Sequence, residues 1–336
     1  MKRLKLLSLI AVFTALFASC EEPIEQTENN NNNSSNEQQI NYTNFKCIRT
    51  LEGHSYPVYS IAYSPGGTKI VSGSIGIIKI WDANTGNCIR TFDDHIHGIV
   101  LSLAYSPDGN HIVSGLGDST IKIWDLSTNY CINPTDRHYG KVRSVSYNHN
   151  GTRIVSGSDD NTIKIWNANT GSCLKTLKGH SDDVKSVSYS PDGTKIISGS
   201  LDKTIKIWDS NSGECIKTIE GFNYPIFSLS YNPNGTRFVS SSIDYRIKIW
   251  DAISGKVIKT FEEICSHDVV KYSPNGNIIV SCDYIDESIN IWDANTGKCL
   301  QTLEHSDGVP SVSFSNDGKY IVSGSSDGTI KIWEHE

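Results

Sequence analysis

All seven tryptophans of this chain occupy one position of a repeat. Trp81, Trp124, Trp166, Trp208, Trp250, Trp292 and Trp333 follow one another at 41 to 43 residues, and the span from first to last, 333 − 81 = 252, is six periods of 42. A second ladder runs through Tyr63, Tyr105, Tyr147, Tyr189, Tyr231, Tyr272 and Phe314, and a third through Ser72, Ser114, Ser156, Ser198, Ser240, Ser281 and Ser323. Three ladders at one period define a repeated supersecondary unit, and such units bury their faces only by stacking on copies of themselves.

Each unit carries four short strand signals. An alternating apolar run such as Val184 to Tyr189 precedes a tight turn (Pro107-Asp108-Gly109, Pro233-Asn234-Gly235, Asn316-Asp317-Gly318). A second strand such as Lys195 to Ser200 and a polar loop lead to Thr204-Ile205-Lys206-Ile207-Trp208-Asp209, and the turn Ala168-Asn169-Thr170-Gly171 opens the fourth strand, Cys173 to Leu177. Strands of five or six residues with turns about every ten predict an antiparallel meander. The last unit stops after its third strand, whereas Phe45-Lys46-Cys47-Ile48-Arg49-Thr50-Leu51 reads like the fourth strands Cys88 to Phe92 and Cys215 to Ile219. The N-terminal strand is therefore expected to complete the last unit.

Six units end in Ile-Trp-Asp or Ile-Trp-Asn, and Gly53-His54 and Gly179-His180 open two of them. With the period, these motifs resemble the WD40 repeat family over residues 45–336. The resemblance implies an all-β, seven-bladed β-propeller of four-stranded antiparallel blades. It also implies a buried His–Ser–Asp–Trp set in several blades: His138, Ser156, Asp160 and Trp166; His180, Ser198, Asp202 and Trp208; His305, Ser323, Asp327 and Trp333. Repetition argues that these are framework rather than a hydrolytic triad, which a protein needs once. The pattern breaks in the first blade (Ile75 at the Asp position), the fifth (Gly221-Phe222 for Gly-His) and the sixth (Ile264 at the His position). In the second, His95 is shifted.

Family members dock partners on the face made by the loops leading into the first strands and by the loops between second and third strands. Carried over, the first-strand positions are Tyr59, Leu101, Arg143, Lys185, Phe227, Asp268 and Pro310. The positions before the structural Asp include Asp159, Ile243 and Ile285. An apolar patch of Tyr59, Leu101, Phe227, Ile243, Ile285 and Pro310 beside Arg143 and Lys185 is the anatomy of a protein-binding surface.

The formal charge is −7, and −10 without the first 19 residues and their three cations. An acidic body argues against nucleic acid, which needs clustered cations. Met1 to Lys5 is cationic, Leu6 to Ala18 is apolar but too short to span a bilayer, and Leu16-Phe17-Ala18-Ser19-Cys20 resembles the lipobox of bacterial lipoproteins. These features predict a signal peptide over 1–19, lipid attachment at Cys20, an Asn-rich tether to residue 44, and an exported cell-envelope lipoprotein touching membrane through that lipid alone. Cys47, Cys88, Cys131, Cys173, Cys215 and Cys299 all open fourth strands, too far apart to pair; Cys265 and Cys282 lie closer in the sixth blade. His95 and His97 lack a third metal ligand. The expected function is a non-catalytic, monomeric scaffold binding a protein or peptide without a cofactor. A propeller-type hydrolase or lactonase, with Asp268 the one acid at the mouth, and an outer-membrane assembly factor remain the alternatives.

Overall fold

The computed structural model describes residues 44–93, 98–128, 130–261, 269–282, 284 and 287–336. The proposed leader, Cys20 and tether (1–43), His95, His97, Ile264, Cys265, Asp268 and Ile285 lie outside them. The described residues form one compact unit of seven four-stranded antiparallel sheets, with no helix among them. The fourth blade is typical: Val184–Tyr189, Lys195–Ser200, Ile205–Asp209 and Cys215–Ile219, each strand pairing with the next.

The seventh blade is built from both ends of the chain. Ser311–Phe314, Tyr320–Gly324 and Ile330–His335 are joined by Phe45–Leu51, which pairs antiparallel with the last strand from Phe45↔His335 to Leu51↔Ile330. Phe45 and Leu51 are buried, and Asn44 Nδ2 donates to Glu336 Oε2 at 2.8 Å. The ring is closed and has no bare edge at this seam.

The repeat's ending has a local cause. In the first six blades the residue after Trp turns the chain into the fourth strand: Asp82 Oδ1 accepts the N–H groups of Asn84 and Thr85, Asn167 Oδ1 those of Asn169 and Thr170, and Asp209 Oδ1 those of Asn211 and Ser212. Only a short side-chain carbonyl reaches back this way, and Gly86, Gly171 and Gly213 then take φ of +79°, +72° and +79° to finish the hairpin. In the seventh blade the strand runs past Trp333 to His335. There Glu334 accepts from Lys319 Nζ at 2.8 Å and Tyr320 Oη at 3.0 Å.

Apolar clusters lie between neighbouring blades. Val155, Ile163, Ile165 and Leu177 of the third blade pack on Val184, Val187, Tyr189, Ile196 and Trp208 of the fourth. The innermost strands are also joined by a repeated hydroxyl bridge: Leu103 N donates to Ser60 Oγ, Val145 N to Ser102, Val187 N to Ser144, Leu229 N to Ser186, Val270 N to Ser228 and Ile61 N to Ser311, all at 2.8–3.2 Å. Val269 holds this position in the sixth blade and brings no hydroxyl to its seam with the seventh.

Candidate functional site

The polar sets sit beneath the outer surface. Ser156 Oγ accepts from Trp166 Nε1 at 2.8 Å and lies 2.7 Å from His138 Nε2, while His138 Nδ1 lies 2.8 Å from Asp160 Oδ2. Ser198, Trp208, His180 and Asp202 repeat this at 2.8, 2.7 and 2.7 Å. Ser156 and Ser198 are wholly buried, so no substrate reaches these hydroxyls. Asp160 is held well below the usual carboxylate range: burial opposes this, but the bonds from His138, Thr162 and the Tyr139 N–H prevail. Such networks fix one packing arrangement because the buried serine must meet the histidine and the tryptophan at once.

The seventh blade differs from the complete set expected of it. His305 Nε2 lies 2.9 Å from Ser323 Oγ and Trp333 Nε1 donates to Ser323 at 2.9 Å, yet His305 Nδ1 is buried without a partner because Asp327 Oδ2 takes the Ser306 hydroxyl instead. The first blade has His54, Ser72 and Trp81 in place (2.7 and 2.8 Å) but no acid, and His54 Nδ1 is likewise unpartnered. In the fifth, Phe222 fills the His position with its ring 5.1 Å from Trp250.

Burial, helped by Lys79 and Lys331 respectively, lowers His54 and His305 to about 4. The unfolded chain protonates both near 6.5, so between 6.5 and 4 it binds more protons than the fold does. Stability is therefore complete above 6.5 and falls with pH through this window, by on the order of 3 kcal/mol per histidine at the low end. Urea midpoints at pH 7 and 4.5 check this: the midpoint drops in the wild type and drops less in His54→Gln. Equal wild-type midpoints contradict it.

The inner strands enclose an axial channel of about 720 Å³. Tyr59, Leu101, Arg143, Lys185, Phe227 and Pro310 all line it. They stand where the first strands begin, and antiparallel pairing puts the loops between second and third strands at the same end. All six are half-buried. The charges are already engaged: Asp159 receives Arg143 in a two-pronged pair (Nε–Oδ1 2.8 Å, Nη2–Oδ2 2.7 Å) and Lys185 Nζ at 3.0 Å, and Lys185 also meets Asp183 at 2.7 Å. Burial opposes ionisation of Asp159, but the two cations hold it below the usual carboxylate range.

The chain carries seven successive matches to the model of the WD domain, G-beta repeat, at residues 45–82, 86–125, 129–167, 171–209, 213–251, 255–293 and 297–334. It belongs to the WD40 family. Its matches among characterised proteins are short. Pre-mRNA-processing factor 17 of Mus musculus is 28% identical over 103 residues, 30% of this chain and 18% of that protein. A component of chromatin assembly factor 1 of Mus musculus is 35% identical over 60 residues (18% and 10%), and nuclear distribution protein PAC1 of Arthroderma benhamiae is 38% identical over 60 residues (15% and 13%). The chain thus spans under a fifth of the length of each.

These matches correct the localisation expected from the first 20 residues. The matched proteins are eukaryotic, with names referring to pre-mRNA processing, chromatin assembly and nuclear distribution, and none is an envelope lipoprotein. A short apolar run and one cysteine carry only local chemistry, whereas up to 103 residues of the repeat-bearing body are similar to proteins of another setting. No helix among the described residues is long and apolar enough to cross a membrane.

The WD40 ring also shows surface residues that the repeat alone does not flag. Ser119, Asn161, Lys203, Tyr245 and Glu287 share one left-handed turn position (φ 55° to 74°), held by Gly76 and Gly328 in the first and seventh blades. The turn needs this conformation, and each non-glycine side chain there costs about 1 kcal/mol or more. A tyrosine at such a place is displayed: Tyr245, Tyr224 and Ile243 are exposed and line an open groove of about 600 Å³ on the fifth blade with Arg246 and Lys248. Tyr139, next to His138, is 89% exposed. Of the residues expected to bind, Ile243 lies in this groove, apart from those lining the channel.

Proposed function

We propose that this WD40 propeller is a non-catalytic scaffold that binds a protein or peptide at the channel mouth, with the separate fifth-blade groove as a further exposed surface. The observation that carries the reading is the convergence of apolar Tyr59, Leu101, Phe227 and Pro310 around Arg143 and Lys185. Their pairing with Asp159 and Asp183 holds the two cations in place before any partner arrives. A preorganised face binds without the entropy cost of ordering loops, and aromatic and Arg anchors at the centre of an interface supply most of its energy. The relatives' names, which speak of assembly, processing and distribution, fit an interaction role. Crosslinking in the native cell followed by identification of bound proteins tests it, with Phe227→Ala plus Arg143→Ala as the comparison. The double variant is expected to lose the partner by at least about tenfold, since two anchors at roughly 1 kcal/mol or more each exceed one decade of affinity. Equal recovery by both forms contradicts the proposed face.

A further inference from the structure

In the third and fourth blades the acid of the polar set is saturated. Asp160 Oδ2 meets His138 Nδ1 and the Tyr139 N–H, both at 2.8 Å, and its Oδ1 accepts from the Thr162 hydroxyl and N–H at 2.6 and 2.9 Å. Asp202 has the same four bonds with His180, Ser181 and Thr204. The fifth blade keeps the acid as Asp244 but has replaced what holds it. Phe222 stands for the histidine and Arg246 for the threonine. Among the described residues Asp244 retains one bond, from the Arg246 N–H to Oδ1 at 3.2 Å.

The loop that carries Phe222 is also less firmly tied to the turn that carries Asp244. Ser158 and Ser200 make this tie in their blades, each donating its hydroxyl at 2.9 Å to Gly140 O and Asp182 O respectively. The matching Ser242 is buried with its hydroxyl unpartnered. The backbone bond across the same gap, Ile243 N to Pro225 O, is 3.4 Å long, against 3.0 and 2.9 Å in the third and fourth blades. The groove of about 600 Å³ lies at this place, and the half-buried Asp244 lines it together with the exposed rings of Tyr224 and Tyr245.

Two cations line the groove as well. Lys248 Nζ lies over the Phe222 ring at 5.3 Å, as Lys79, Lys164 and Lys331 lie over the tryptophans of their blades. Arg246 is exposed, and neither cation forms an ion pair with Asp244. A carboxylate and tyrosine faces both attract a cation, and a chain at −7 draws basic partners. We propose that the fifth-blade groove takes an arginine or lysine side chain from a partner protein, with Asp244 as its acceptor and Tyr224 and Tyr245 as its walls. This names an occupant for the groove; it rests on the scaffold reading for the partner's being a protein, and not on the channel mouth.

The test is an array of short blocked peptides, random but for a central Arg, Lys or Glu, probed with the whole chain. The wild type is expected to retain Arg- or Lys-centred members and not Glu-centred ones. Asp244→Asn should bind the retained peptides at least about tenfold more weakly. Arg246→Gln, which removes a like charge, should bind them at least as well as the wild type. Phe222→His puts an imidazole within reach of Ser240 and Asp244, and should lose the peptides while keeping the wild-type urea midpoint; should it fail to fold, Asp244→Asn decides. Phe227→Ala plus Arg143→Ala should keep them, which separates failure of the groove from failure of the mouth. Retention of Glu-centred peptides instead, retention of none, undiminished binding by Asp244→Asn or by folded Phe222→His, weaker binding by Arg246→Gln, or loss in the double variant each overturns the proposal.

Discussion

Removal of residues 45–51 is expected to cost on the order of 5 kcal/mol. The segment supplies the outer strand of the seventh blade, and both its ends are anchored in cores: Phe45 with Ile278, Val280 and Leu303 of the sixth blade, Leu51 with Val58, Ile61 and Trp81 of the first. Losing two fully buried large side chains forfeits about 1.5–3 kcal/mol each, and the ladder from Phe45 to Leu51 goes with them. The strand Ile330–His335 then becomes an exposed edge, a template for pairing with other chains. Because whole domains are stable by only about 5–15 kcal/mol, the truncated chain should melt far earlier in urea and scatter light on warming. An unchanged midpoint would sink the closure of the ring by this strand.

Ser198→Ala should be the most costly single-atom change in the fourth blade. The hydroxyl serves both His180 Nε2 and Trp208 Nε1, and both rings are buried. Its loss strands two buried polar groups, at about 1–3 kcal/mol each, or roughly 2–6 kcal/mol in all. Cys215→Ser, on the exposed outer strand of the same blade, should lie within about 0.5 kcal/mol of wild type. Urea midpoints of the two variants measure the contrast. Similar midpoints would mean that the serine network holds nothing together.

How far the sequence carries depends on what repeats. The Trp, Tyr and Ser ladders fix the blades and their register, because a residue at one point of a 42-residue period occupies one point of every blade. The closing strand is legible for the same reason, since Phe45–Leu51 matches fourth strands but stands at the wrong end of the chain. Contacts between copies are less visible. Five of the serine bridges join positions 42 or 43 residues apart and the sixth closes the ring from Ser311 to Ile61, and nothing in a single repeat says that its Ser accepts from the next blade's backbone. Asp159 pairs with Arg143 inside the third blade and with Lys185 across the seam to the fourth, so groups that look like free charges in the sequence turn out to neutralise one another. His305 shows the opposite limit: the residue types of a complete set are present, but Ser306 competes for Asp327 and leaves the imidazole half-satisfied. Tyr245 is foreshadowed only as a departure, a tyrosine where two blades keep glycine.

The central claim is a division of labour, in which the repeated polar residues hold the ring and the varied residues at the channel mouth hold the partner. Measuring melting and partner capture side by side for Ser198→Ala and for Phe227→Ala plus Arg143→Ala tests it most directly. The account predicts that Ser198→Ala melts early yet, below its transition, captures the partner as the wild type does, while the double variant captures little and melts close to the wild type. Loss of capture by folded Ser198→Ala, or undiminished capture by the double variant, would contradict it.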